Sequence, residues 1–262
     1  MKDKSPPSVV KKSRAERKKK EITPKSILSD RSPPSDVQAL RKSLDEFKKK
    51  PVPGHQDTIV SKVKCGVYAF YDFEEQPIYV GQTREGLGTR INRHLTNQRS
   101  DAVAMSVLDP FEVYKVKAWP AMEFQDINLK DGKNKELAMK HLDALERTVY
   151  DECVKNSTFG AVLNEKDPPK VKPIELPAPI EGTLVSDELK KVREHPDTRI
   201  ARRALTISRL TKVIEERDIK TGLRRVLDVQ AKRLSHLATQ RYDALGGASS
   251  VEERTGDADE ED

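Results

Sequence analysis

The sequence predicts an α+β fold: a small three-stranded antiparallel sheet flanked by helices, then a C-terminal helical hairpin, with disordered termini. Three observations predict it. Residues 65–71 and 77–83 are short runs rich in β-branched and aromatic residues, separated by the polar, turn-like residues 72–76, which is the mark of a β-hairpin. Residues 111–119 alternate apolar and polar along their whole length, as a half-buried third strand does. Around them lie helical stripes of apolar residues, most of all over 135–156 and 183–246. With 262 residues, 35% of them charged, and a mean hydropathy of -0.74, the chain suits a compact domain with appendages better than one full-length core.

Residues 1–34 carry a basic run at 11–20 and two Pro-Pro pairs, with almost nothing to bury, so they are expected to form a disordered basic arm. Ser35 and Asp36 can cap a helix whose stripe is Val37, Leu40, Leu44 and Phe47 and which ends in lysines before Pro51; with the linker 51–57 it makes a docking segment over 35–58. The central domain spans 59–166. In its hairpin, alternation puts Tyr68 on a face with Gly66 and Phe70, and Tyr79 on a face with Pro77 and Gly81. The two phenols meet if the register pairs those faces. A helix over about 89–97 sets Arg90 and His94 four residues apart on one face, with Ile91 and Leu95 toward the core. The longest helix, 135–156, buries Leu137, Ala138, Leu142, Leu145, Val149 and Cys153, with Glu146 at the margin of that stripe. Residues 159–164 return the chain to the core and end at Asn164; 167–182 read as a proline-rich linker.

The pair Gly66, Val67, Tyr68 and Tyr79, Val80, Gly81, followed in order by Arg90, His94, Glu146 and Asn164, resembles the GIY-YIG nuclease family. The likeness covers roughly residues 60–165. Pro77 to Gly81 together with the Arg90-to-His94 spacing is most similar to its restriction-endonuclease branch. The resemblance implies a DNA endonuclease with catalytic residues Tyr68, Tyr79, Arg90, His94, Glu146 and Asn164, and with Mg²⁺ or Mn²⁺ held by Glu146. It implies Tyr68 as the base, directly or through a water, supported by His94 and Tyr79, and Asn164 as an architectural cap. Two departures stand out: Gln82 follows Gly81 where relatives often carry lysine, and the interval from Glu146 to Asn164 is longer than usual.

The remaining chain, 183–246, reads as a hairpin of helices whose stripes run through Ile200, Ala204, Ile207, Leu210 and Ile214, and through Leu223, Val226, Leu234 and Leu237. Twelve Lys and Arg residues line these helices, so the hairpin is expected to grip the DNA backbone or to form a homodimer. An acidic tail, 247–262, closes the chain and hides the basic surplus of residues 1–50, where 16 Lys+Arg face 7 Asp+Glu. Cys65 and Cys153 lack metal or redox spacing and are expected as reduced core residues. No apolar run approaches membrane length, which predicts a soluble protein, cytoplasmic and nucleoid-associated in a bacterium. Two other functions fit the same residues: a structure-specific repair or recombination nuclease, and a DNA-binding protein whose nuclease domain is retired.

Overall fold

In the computed structural model, which describes residues 33–96, 107–125, 131–216 and 221–247, the first element is helix α1 (Ser35–Lys48). It buries Leu40, Leu44 and Phe47, the stripe its spacing predicts. The basic arm and the acidic tail expected at the two ends fall outside the described residues, apart from positions 33, 34 and 247.

The linker expected at 51–57 is instead a small hairpin of β1 (Pro51–Val52) and β2 (His55–Ile59). Pro53 and Gly54 make its turn, and Gly54 takes φ +75°, which glycine adopts without strain. Strands β3 (Gly66–Tyr71) and β4 (Pro77–Thr83) then pair antiparallel, with Tyr68 opposite Gly81 and Phe70 opposite Tyr79. That register places both phenols on one face.

The third strand, β5 (Lys115–Pro120), starts later than the alternation suggests. Pro110–Glu112 winds into a 3₁₀ turn because the Asp109 carboxylate accepts the Phe111 amide at 2.9 Å and caps it. The sheet also has a fourth strand, a correction to the expected three: β6 (Ile180–Thr183) pairs with β5, giving the order β4-β3-β5-β6. It lies at the end of the stretch read as linker. Prolines through 179 cannot donate to a ladder, so pairing begins only where they stop, and Ile180 and Gly182 turn inward. A Cβ on Gly182 would come within 2.5 Å of the Phe47 ring.

Both faces of the sheet are covered. Tyr68, Phe70 and Ile78 pack with α1, with α2 (Leu87–Thr96) and with the C-terminal helices. On the other face Val67, Ala69 and Val80 pack with Ala138, Leu142, Leu145 and Val149 of α3 (Gly132–Asn156). Leu137, expected in that stripe, is exposed instead, so the buried face begins at Ala138. Cys65 and Cys153 are free and buried, as expected.

The C-terminal elements are α4 (Asp187–Arg193), α5 (Pro196–Glu216) and α6 (Thr221–Ala244). From Ser35 onward the chain forms one compact unit, so the hairpin of α5 and α6 is built into the domain. The buried line along α5 is Arg199, Arg203, Thr206 and Leu210; of the apolar stripe expected, Leu210 is buried and Ile214 packs against the core, but arginines take the first turns. The reason is electrostatic. Asp72, at the turn after β3 and fully buried, accepts Arg199 at 3.3 Å, Arg203 at 3.1 Å and Arg233 of α6 at 2.7 Å. Buried Glu112 takes Arg203 at 3.1 Å, and Glu74 takes Arg199 at 3.0 Å. Charges expected to meet DNA are thus largely neutralised inside the chain: Arg202 pairs with Asp109, Arg225 with Asp167 and Arg241 with Asp197. No described helix is long and apolar enough to cross a membrane.

Candidate active site

Tyr68 is fully buried, and its ring lies across β4 above Gly81. A Cβ at Gly81 would stand 2.8 Å from both Cζ and Oη of Tyr68, closer than carbon atoms tolerate. The glycine of the second tripeptide therefore leaves room for the tyrosine of the first. The Tyr68 Oη lies 3.1 Å from His94 Nδ1, and the Tyr79 ring meets the His94 ring edge-on with centroids 4.5 Å apart. Arg90, one helical turn before His94 on α2, adjoins the same phenol oxygen. Its Nε is shielded from solvent and has no hydrogen-bond partner among the described residues.

Burial raises the pKa of Tyr68 far above that of an ordinary phenol, reinforced by Tyr79 and opposed by Arg90. Burial also pushes Tyr79 up to about 12. Burial thus favours the neutral form of both phenols, and Tyr68 shares a hydrogen bond with His94 Nδ1 rather than standing ready as a phenolate.

The other half of the site comes from α3. Gln82, on the β4 face opposite Tyr79, gives its two amide hydrogens to two carboxylates: Nε2 lies 2.9 Å from Asp143 Oδ1 and 3.0 Å from Glu146 Oε2. Burial pushes the Glu146 carboxyl up to about 7, although the Gln82 bond pulls against it and the Asp143 charge adds to it. An open cleft of about 560 Å³ runs over this edge of the sheet, lined by Gln82, Arg84, Arg90, Arg93, Lys135 and Asp143 among others. Two further clefts, of about 330 and about 620 Å³, are walled by residues 174–179 and contain none of these groups.

Of the six residues expected in the site, four lie together on one face of the strand pair. Tyr68, Tyr79, Arg90 and His94 form one cluster, and Glu146 is near enough for its charge to act on both phenols. Residues 64–141 match the family model of the GIY-YIG catalytic domain. A GIY-YIG domain implies a nuclease, a hydrolase acting on DNA. The matched stretch contains Tyr68, Tyr79, Arg90 and His94, and α3 carries on beyond it to bring Asp143 to the cleft and Glu146 to Gln82 beside it. No curated protein and no solved structure matches the chain.

Asn164 sits apart from the two tyrosines. Buried outside the edge strand, it accepts the Val80 amide at 3.0 Å through Oδ1 and donates Nδ2 to the Val80 carbonyl at 2.8 Å. An edge strand presents such groups unpaired, and one side-chain amide satisfies both. Asn164 thereby fixes the backbone between Tyr79 and Gly81. Sequence reasoning missed Asp143, although its position three residues before Glu146 sets both on one face of the helix and could have revealed it. Gln82 was singled out only for a missing charge, whereas its amide joins β4 to α3.

Among the described residues, no three His, Cys, Asp or Glu side chains make a metal cluster by themselves. Asp143 offers a hard oxygen donor at the cleft and Glu146 a second beside it, and among the described residues neither is in an ion pair with lysine or arginine. That donor set fits Mg²⁺, which accepts few protein oxygens and completes its shell with waters and substrate phosphate.

Proposed function

We propose that this protein is a metal-dependent DNA endonuclease of restriction type. The observation that carries the proposal is the meeting of Arg90 with the Tyr68–His94 pair at one end of a basic cleft, across β4 from two carboxylates. A guanidinium lining such a cleft is suited to a phosphoryl oxygen. Arg84, Arg93 and Lys135 add positive charge along the cleft for the flanking phosphates.

Hydrolysis requires a proton to leave the attacking water. Tyr68 is too weakly acidic to be a phenolate beforehand, so it works as a relay: Oη takes the proton of the water as its own hydrogen passes to His94 Nδ1. His94 ends as the imidazolium, with Tyr79 packed against its ring to hold its orientation. Arg90 offsets the charge that builds on the phosphoryl oxygens in the transition state. Glu146, with Asp143 beside it, would hold Mg²⁺, which when bound supplies Lewis-acid stabilisation of the phosphoryl group and the leaving oxygen. Gln82 keeps the two carboxylates turned toward the cleft without adding a competing charge.

The restriction-type reading is supported by the pattern Pro77 to Gly81 with the Arg90-to-His94 spacing. Incubating supercoiled plasmid with the protein and Mg²⁺, with an EDTA control, tests both levels. Discrete Mg²⁺-dependent fragments are expected. Random nicks would replace the restriction reading by a repair or recombination nuclease, and retardation without cutting would replace it by a DNA-binding protein.

A further inference from the structure

The C-terminal hairpin reaches the two elements that carry the catalytic groups, and one of its side chains bonds toward both. On α6, Arg225 donates Nη2 to the Asn164 carbonyl at 2.8 Å and Nη1 to Asp167 Oδ1 at 2.7 Å. The Asn164 side chain in turn holds both backbone groups of Val80, between the Tyr79 and Gly81 of β4. The same Asp167 oxygen accepts the Tyr150 hydroxyl at 2.5 Å, and Tyr150 lies one turn beyond Glu146 on α3. One guanidinium thus ties α6 to β4 through Asn164 and to α3 through Asp167.

The approach of α6 is itself built in. A Cβ on Gly222, in the first turn of α6, would overlap the Glu165 carbonyl, so the helix presses on segment 164–167 only because that residue is glycine. Leu163 adds a backbone bond to the Ile78 carbonyl at 2.8 Å, continuing the segment along β4. Without Arg225, the Asn164 carbonyl and Asp167 lose the partner that holds them against α6, while the cores on both faces of the sheet stay intact.

We infer that Arg225 is a positioning residue for the nuclease site, setting the distance between the Tyr68–Tyr79 strand pair and the Asp143–Glu146 turn of α3. The inference rests on the nuclease reading. Misplacing reacting groups by about 1 Å costs on the order of 100-fold in rate, and a loosened brace allows part of that. Arg225→Ala should lower kcat by about 10-fold or more while leaving KM for DNA and the melting temperature nearly unchanged. Arg225→Lys, which can keep one of the two contacts, should recover part of the loss, and Tyr150→Phe, which cuts only the α3 branch, should show a smaller fall in kcat.

Wild type and the three variants are compared in steady-state cleavage of one DNA substrate, with amide exchange of residues 77–83 followed in parallel. Faster exchange in Arg225→Ala with a lowered kcat and partial rescue by lysine supports the inference. An unchanged kcat overturns it, as does a raised KM with kcat constant and a weaker salt dependence, which would make Arg225 a DNA contact. Wild type that does not cut overturns the nuclease reading, and unchanged exchange in Arg225→Ala then overturns the coupling on its own evidence.

Discussion

Replacing Asp72 by asparagine removes one charge from the centre of the molecule and turns the Oδ2 acceptor of three arginines into an amide donor. The side chain keeps an oxygen that can continue to accept the Glu74 and Gln76 amides, now at 2.9 and 3.0 Å, so the turn after β3 retains its cap. What is lost is the anion that three arginines share. Arg199, Arg203 and Arg233 lie within 3.3 Å of Asp72 Oδ2, each about 3% exposed or less. Glu112 and Glu74 remain, but Glu112 pairs with Arg199 and Arg203 and Glu74 with Arg199, and neither pairs with Arg233. Burial already works against the Arg233 charge, so its guanidinium would be left without a carboxylate. Removing one partner of a buried ion pair costs about 3–5 kcal/mol, because the other charge stays out of water uncompensated. For a unit of this size that is a fall in Tm of about 6–20 °C. Thermal and urea unfolding of Asp72→Asn measure it, with Glu75→Gln as the control. Glu75 pairs with Lys115 at 2.5 Å but is 63% exposed, and its loss should cost about 0–1 kcal/mol. If Asp72→Asn costs no more than that control, the hairpin is not held by this cluster.

The Glu146 carboxyl gives a pH prediction. Its pKa is raised from 4.5 to about 7 by burial, so the protonated form favours the fold: that contribution is complete below pH 4.5 and is lost as pH rises to about 7. Metal-free protein should therefore lose stability across that window relative to Glu146→Gln, a difference that melting curves at a series of pH values detect; parallel curves would refute the burial argument. Mg²⁺ affinity should rise with pH over the same range, because the bound form needs the carboxylate. Gly81→Ala should push the Tyr68 ring aside and cut cleavage by about 100-fold with DNA binding retained, as kcat and gel retardation together would show. Asn164→Ala strands the Val80 amide and carbonyl and should cost about 2–4 kcal/mol by denaturant unfolding.

The strand pair was legible because its signals are local. Alternation fixes which side of β3 carries Tyr68, whereas its pairing with Gly81 depends on a register shift between Phe70 and Tyr71 that no local pattern announces. The helix carrying Arg90 and His94, and the buried face of α3 from Ala138 to Cys153, are likewise periodicities of one segment. Less of the C-terminal hairpin could be read. Arg199 and Arg203 look like surface charges because periodicity sees only their own helix, while the partners that bury them, Asp72 and Glu112, lie far away in sequence, 91 residues for Arg203 and Glu112 and 131 for Arg203 and Asp72. Strand β6 is four residues long and follows a run of prolines, so composition spoke louder than alternation there. In the site, Asp143 escaped notice because nothing near it in sequence shows that Gln82 reaches across from β4 to bridge it to Glu146.

The central claim is that Tyr68, Arg90, His94 and Glu146 work on one phosphodiester. Glu146→Ala tests it most directly when Mg²⁺-dependent plasmid cleavage and DNA retardation are measured on the same preparation. Cleavage should vanish while retardation changes by less than about threefold, since Arg84, Arg90, Arg93 and Lys135 still line the cleft. Undiminished cutting by that variant would contradict the account.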